Sequence, residues 1–251
     1  MTILSRNSGV VNTPSNTWTV TKASGSFGTG TVIVVAIFGN TVFSTPAGWT
    51  QRTSSVADMG LYSYDKTAAG EASLAFTCTA AGTGEWFVWE LSAGSTFLDA
   101  LATQATSPTL TAHPTPNLTP TAGNRHLLAV AGGNGSLTRS VTAWSNSFVG
   151  LGTLAGGHAT GGDNTFSGAA DRDVTADGVT AYGTTATLST GTATRGGLLA
   201  SYVAAGSDTT APSVPAGLTV AAVGQTTVDL TWTAATDNVG VTGYDIEIVG
   251  P

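Results

Sequence analysis

Acid–base chemistry in this chain would have to run through His113, His126 or His158, or through Glu71, Glu85, Glu90 and Glu247, because there is no other histidine or glutamate. The histidines sit in settings that suit solvated or edge side chains. His113 is followed by Pro114 in an extended stretch, His126 opens an apolar strand, and His158 adjoins Gly156 and Gly157. Glycoside hydrolysis needs two carboxyl groups flanking a cleft about 5 to 9.5 Å apart, and none of the glutamates has a context that suggests a pocket. No G-x-S-x-G elbow, H-E-x-x-H pair, P-loop or dinucleotide-binding glycine run occurs. The expectation is a chain without catalytic residues.

Metal chemistry has one opening. Asp163, Asn164, Asp171, Asp173 and Asp177 place oxygen ligands among the glycines of residues 161–179, which suits calcium. Their spacing matches no EF-hand or other calcium repeat. The segment therefore reads first as a mobile, soluble loop and second as a calcium site, and no other cofactor is expected. Binding chemistry would fall to the aromatics. Trp18, Trp49, Trp86, Trp89 and Trp144 are candidates by type, and Trp49, Trp86 and Trp144 are the expected contacts with a glycan or a partner protein. In WFVWE the two-residue period of a strand sends Trp86 and Trp89 to opposite faces, so one of them is expected in the core.

The elements that must position these residues are strands. Gly and Pro interrupt almost every stretch of a dozen residues, and helical periodicity never persists over three turns. Strands are expected at residues 17–22, 31–38, 49–54, 60–66, 72–79 and 85–92. The Thr/Ala-rich segment 95–107 is expected to be extended rather than helical. The pattern then recurs: GTGTVIVVAIFGN returns as AGNRHLLAVAGGN, and WFVWELSAGS returns as GLLASYVAAGS. Two degenerate copies of one β unit, about 1–107 and 108–206, are expected to stack into one jelly-roll-like β-sandwich. Val34 and Ala36 would then face the same core as Leu128 and Val130.

Composition narrows the partners. Charged residues make up 9% of the 251 residues, against about 25% in ordinary globular proteins. The net charge is −7, with Lys22 and Lys66 the only lysines. No basic stripe is available to neutralise phosphates, which excludes nucleic acid as an expected partner. Cys78 is the single cysteine, so neither an intrachain disulfide nor a cysteine zinc cluster can form. The longest apolar run, TVIVVAIF ending at Phe38, is far below the roughly 20 residues that span a bilayer, and membrane insertion is not expected. The N-terminus lacks the charged and apolar regions of a signal peptide, so export by that route is not expected either.

The last stretch, DTTAPSVPAGLTVAAVGQTTVDLTWTAATDNVGVTGYDIEIVGP, resembles the first half of a fibronectin type III domain. Pro212 and Pro215 mark the entry and Leu218 and Val220 a first strand. Val228, Leu230 and Trp232 alternate on a second, and Tyr244, Ile246 and Ile248 on a third beyond a turn at Asp237 and Asn238. An immunoglobulin-like sandwich of this kind takes about seven strands. Residues 207–251 are thus expected to be a partial module that leans on a neighbour. The tandem region, with PAGWT at 46–50 and YDKTAAGE at 64–71, resembles Gly/Thr-rich minor tail or fibre proteins of actinobacterial phages. That resemblance implies a virion protein made in the host cytoplasm. It would be oligomeric, packed among other virion proteins, and would touch a host cell-surface glycan. One alternative is a capsid-surface decoration or head-fibre protein. The other is a carbohydrate-binding accessory region of a secreted polysaccharide-degrading enzyme.

Overall fold

A computed structural model describes residues 3–53, 60–106, 111–134, 140–154, 165–189, 195–205, 212–224, 226–236, 241 and 243–247. These residues are all β, in antiparallel sheets that stack as sandwiches. The first sheet is built from β1 (Ile3–Thr21), β2 (Val32–Gly39), β3 (Thr50–Thr53), β4 (Gly60–Thr67) and β5 (Ser73–Leu91), in the order β1-β5-β2-β4-β3. Eight strands follow: β6 (Thr96–Thr106), β7 (Ala112–Pro114), β8 (Gly123–Asn134), β9 (Val141–Trp144), β10 (Val149–Leu154), β11 (Thr165–Ala176), β12 (Thr185–Leu188) and β13 (Arg195–Val203). Five of them make a second sheet, β10-β11-β8-β13-β6, and three make a smaller one, β7-β12-β9. Read from its other end, the second sheet repeats the strand order of the first, with β6 in the place of β1 and β8 in the place of β2.

Burial explains the layering. Every residue of β2 is buried, which requires cover on both faces. Val32, Val34, Ala36 and Phe38 face the second sheet, where Leu128, Val130, Ala169 and Leu198 meet them in one core. Ile33, Val35 and Ile37 face the other way, into a core with Trp18, Phe43, Tyr64 and Phe76. That outer core is closed by the first sheet's own long strands. β1 and β5 lose register around Val11, Ser15 and Thr17, and such irregularities bend a strand. Beyond the bend, Trp18 and Val20 of β1 and Leu74 and Phe76 of β5 cover β2 and β4. On the far side of the second sheet, β7-β12-β9 takes the covering role over Leu127, Ala129, Phe166 and Leu199. The result is four layers with the two five-stranded sheets in the middle.

Three expectations change. The expected division of residues 1–206 near 107 does not fit the pairing, because β6 is laddered to β13 from Thr106↔Arg195 to Thr96↔Val203. Division by sheet falls between Leu91 and Thr96. The strands expected at 72–79 and 85–92 are one bent strand, and the first strand begins at Ile3. The acid-bearing segment is no loop from Thr165 to Ala176, where β11 pairs with β8 along its whole length.

The chain divides into two compact units, Met1–Gly206 and Ser207–Pro251. In the second unit β14 (Ala216–Val223) pairs with β15 (Val228–Thr233). The third strand expected around Tyr244 and Ile246 forms no ladder; residues 243–247 are irregular. Tyr244 instead packs edge-on to Trp232 at 5.3 Å between ring centroids, and its hydroxyl accepts the Ala235 N–H at 2.8 Å. Ile248, Asp237 and Asn238 lie outside the described residues.

Candidate functional site

The residues with chemical potential are mostly spent on holding the stack together. His113 and His126, expected at edges or in solvent, are buried at 1% and 0% exposure. His113 Nε2 donates to the Gly196 carbonyl at 2.9 Å, and His126 Nδ1 meets Asp173 Oδ1 at 2.6 Å. His158 lies outside the described residues. Glu90 is buried and saturated: Lys22 Nζ lies 2.7 Å from Oε2, while the Gly28 N–H donates at 2.6 Å and the Ser5 and Thr31 hydroxyls each at 3.0 Å. Burial pushes its carboxyl up, but these donors outweigh burial and hold it below the usual carboxylate range. Glu85, fully buried, accepts from Ser167 Oγ at 3.1 Å across the central core. Glu71 pairs with Lys66.

The aspartates expected as calcium ligands do not gather. Asp171, on β11, is gripped by Arg6 Nε and Nη2 at 2.5 Å each and accepts from Trp89 Nε1 at 3.1 Å. Asp173 pairs with His126. Asp177 accepts the Val179 and Thr180 amides at 2.9 and 2.7 Å and the Thr180 hydroxyl at 2.5 Å. The hydroxyl and amide donors pull its carboxyl down to about 2. Asp163 and Asn164 lie outside the described residues. Among the described residues no three His, Cys, Asp or Glu side chains are grouped to hold a metal ion.

Asp171 has a counterpart that sequence reasoning missed. Asp65, on β4, receives Arg52 Nε at 2.7 Å and Nη2 at 3.0 Å, and Tyr202 of the second sheet donates its hydroxyl at 3.1 Å. Asp65 faces Val34 of β2 and Asp171 faces Leu128 of β8, which are corresponding central strands. Two buried carboxylates thus each take a forked arginine and the polar tip of an aromatic from the opposite sheet. Burial, and next the charge of Asp65, pushes the Tyr202 phenol well above its ordinary range. The sequence signal was faint but present: in a chain so poor in charge, an arginine on a strand edge implies a carboxylate to meet it.

The tryptophans divide. Trp86 and Trp89 do face opposite ways, yet both are core, because β5 is covered on both sides where they sit. Trp86 packs flat on Gly9, at which an added Cβ would fall 2.3 Å from the indole. Trp49 and Trp144 are half-buried. Trp49 lies against Phe76 at 5.1 Å with Lys66 Nζ 5.6 Å above its ring.

Two clefts among the described residues bear on binding. In the C-terminal unit, a cleft of about 280 Å³ is lined by Leu218, Leu230, Trp232, Tyr244 and Ile246. This is the apolar face of a two-stranded sheet, with Leu218 66% and Ile246 60% exposed. In the larger unit, a polar cleft of about 460 Å³ opens between the Asn146–Ser147 turn and the loop through Thr180 and Tyr182, with Arg172 of β11 beside them. Asn146 and Ser147 both have left-handed backbone, φ 56° and 60°. The Phe148 N–H donates to the Ser145 carbonyl at 3.2 Å, so the pair forms a type I′ turn in which glycine would normally take the second place.

No protein-family model matches the chain, and no solved structure matches it. Short stretches do match curated enzymes. The chain is 59% identical over 39 residues to chitinase Chi52 of Paenibacillus xylanexedens, covering 16% of this chain and 8% of that protein. It is 62% identical over 42 residues to exoglucanase A of Cellulomonas fimi, covering 16% and 5%. It is 54% identical over 41 residues to chitinase A1 of Niallia circulans, covering 16% and 6%. The chain thus spans less than a tenth of the length of the curated relatives it matches. These matches overturn the expected kinship with phage tail, fibre and capsid-surface proteins. They favour the remaining alternative, a carbohydrate-associated module.

Proposed function

We propose that this chain is a non-catalytic, carbohydrate-binding accessory region of an exported polysaccharide-degrading enzyme. One observation carries the reading. A stretch of about 40 residues recurs at 54–62% identity in two chitinases and an exoglucanase while making up only 5–8% of each. A piece that travels between enzymes with different reactions is not the catalytic machinery of either. The matched length fits within Ser207–Pro251, and we assign it to that unit, read as part of a fibronectin type III module acting as spacer. Its exposed apolar face, with Leu218, Trp232 and Ile246, is the side that would face the core in such a module. The larger unit is the proposed binding part. We read it as two degenerate copies, each a jelly-roll-like sandwich of a five-stranded sheet and a smaller cover, joined back to back.

The test is co-sedimentation of the purified chain with insoluble chitin, cellulose and acidic plant cell-wall polysaccharide, with reducing-sugar release followed in parallel. Retention on at least one of them without sugar release is expected. Retention on none refutes the reading, as does sugar release abolished by changing one histidine or carboxylate.

A further inference from the structure

Arg172 stands apart from the other arginines whose side chains are described. Arg6, Arg52 and Arg125 each reach a carboxylate, on Asp171, Asp65 and Asp99. Arg172 joins no ion pair among the described residues. Its Nη1 donates to the Asn146 carbonyl at 2.9 Å, and its guanidinium sits 5.8 Å from the Tyr182 ring centroid. These contacts fix the plane of the fork and leave its remaining donors for another acceptor.

The walls around it are built in advance. Asn146 Nδ2 donates to the Gly183 carbonyl at 2.8 Å, tying the turn to the opposite loop. Tyr182 exchanges backbone hydrogen bonds with Leu118 at 2.8 and 3.0 Å. Asp177 turns both carboxylate oxygens to Val179 and Thr180 of its own loop and forms no ion pair with Arg172. A pre-organised cleft loses little entropy on binding. Ser147 keeps a strained backbone at the rim where glycine would be unstrained, and such strain persists where surrounding structure over-determines it. In a chain of net charge −7, an uncompensated guanidinium beside an aromatic ring in a polar cleft selects for a ligand that brings the negative charge.

We infer that this cleft binds a carboxylate-bearing sugar, such as a uronic acid unit of an acidic polysaccharide, with Arg172 holding the carboxylate. The sugar part rests on the proposed accessory function; the carboxylate part rests on Arg172 and its surroundings. Titration calorimetry of the full chain tests it, using a uronic acid oligosaccharide, a neutral oligosaccharide of equal length, and sodium acetate. Binding of the uronate alone, weakened by added salt, is expected. Arg172→Gln should lower its affinity about tenfold or more. If that variant has a lowered unfolding midpoint, Arg172→Lys carries the test, since it keeps the charge and loses the fork.

Equal binding of the neutral sugar, or an unchanged affinity in the folded Arg172 variants, overturns the inference. Acetate binding as strong as the uronate overturns the sugar assignment and leaves a simple anion site. Retention on chitin or cellulose with no uronate binding sinks this inference alone. Failure of every sugar, soluble and insoluble, sinks it together with the accessory reading.

Discussion

At the residue scale, charge in this protein is scarce, part of it is buried at Asp65, Glu85, Glu90, Arg125 and Asp171, and the worth of that part depends on pairing. Asp65 is fully buried, so removing its arginine leaves a carboxylate in a low-dielectric core with one phenol for company. Arg52→Met is expected to cost about 3–5 kcal/mol in urea denaturation, whereas Arg52→Met combined with Asp65→Leu should recover most of that loss. A double variant no more stable than the single one would show that the pair does more than cancel its own desolvation. Acid should act through Glu90 and Asp99. Burial pushes each carboxyl up, but Lys22 and its neighbours outweigh it for Glu90, and Thr121 and Arg125 do so for Asp99, leaving both below the usual range. A depressed carboxylate adds stability above its unfolded pKa and loses it as pH falls through the folded one. Stability should therefore decline between about pH 5 and pH 2. Glu90→Gln should flatten that decline, which denaturation midpoints across the range will read directly.

At the element scale, the bent strands of the first sheet depend on close approaches that only small residues allow. Gly9→Ala would drive a methyl into the Trp86 indole and is expected to cost about 1–3 kcal/mol as overpacking. Ser147→Gly should do the opposite, raising stability by about 1 kcal/mol by removing left-handed strain from the β9–β10 turn; thermal unfolding midpoints separate the two. Strand existence was readable in the sequence because period-two alternation and glycine punctuation are local signals. The run from Val32 to Phe38 is wholly apolar because both its faces are covered, and the strand expected at 31–38 is β2. What could not be read was which strands bend and which sheet claims them. β5 reads as two strands because Thr79–Gly84 consists of small residues with two glycines and no large apolar side chain, and β6 reads as the end of the first copy because nothing local to it names β13 as its partner. The buried carboxylates were hidden for the same reason: Asp65 meets Tyr202 137 positions away. The polar cleft escaped notice because its parts lie on a turn, a strand and a loop that only the fold assembles.

At the scale of the whole molecule, the central core belongs to both five-stranded sheets at once. A fragment ending at Gly94 would expose Val34, Ala36, Phe87 and Trp89, and is expected to be insoluble or loosely packed, binding a hydrophobic dye without a cooperative melt. A sharp melt from that fragment would show that the first sheet and its cover stand alone. Deleting residues 207–251 should leave the melting of the larger unit unchanged and improve solubility, because it removes an exposed apolar sheet face.

The way β1 meets β5 also governs time. Ile3 pairs with Leu91, and β6 must wait for β13, so neither sheet can close until chain made much later has returned to chain made first. Folds dominated by such distant pairings form slowly. With the central strands covered on both faces, opening requires several layers to separate together. Where proteases act and chaperones are absent, the quantity that counts is how rarely the closed state opens, and in this stack the edge strand β1 is held to β5 by a ladder that runs from Ile3↔Leu91 to Thr21↔Ser73.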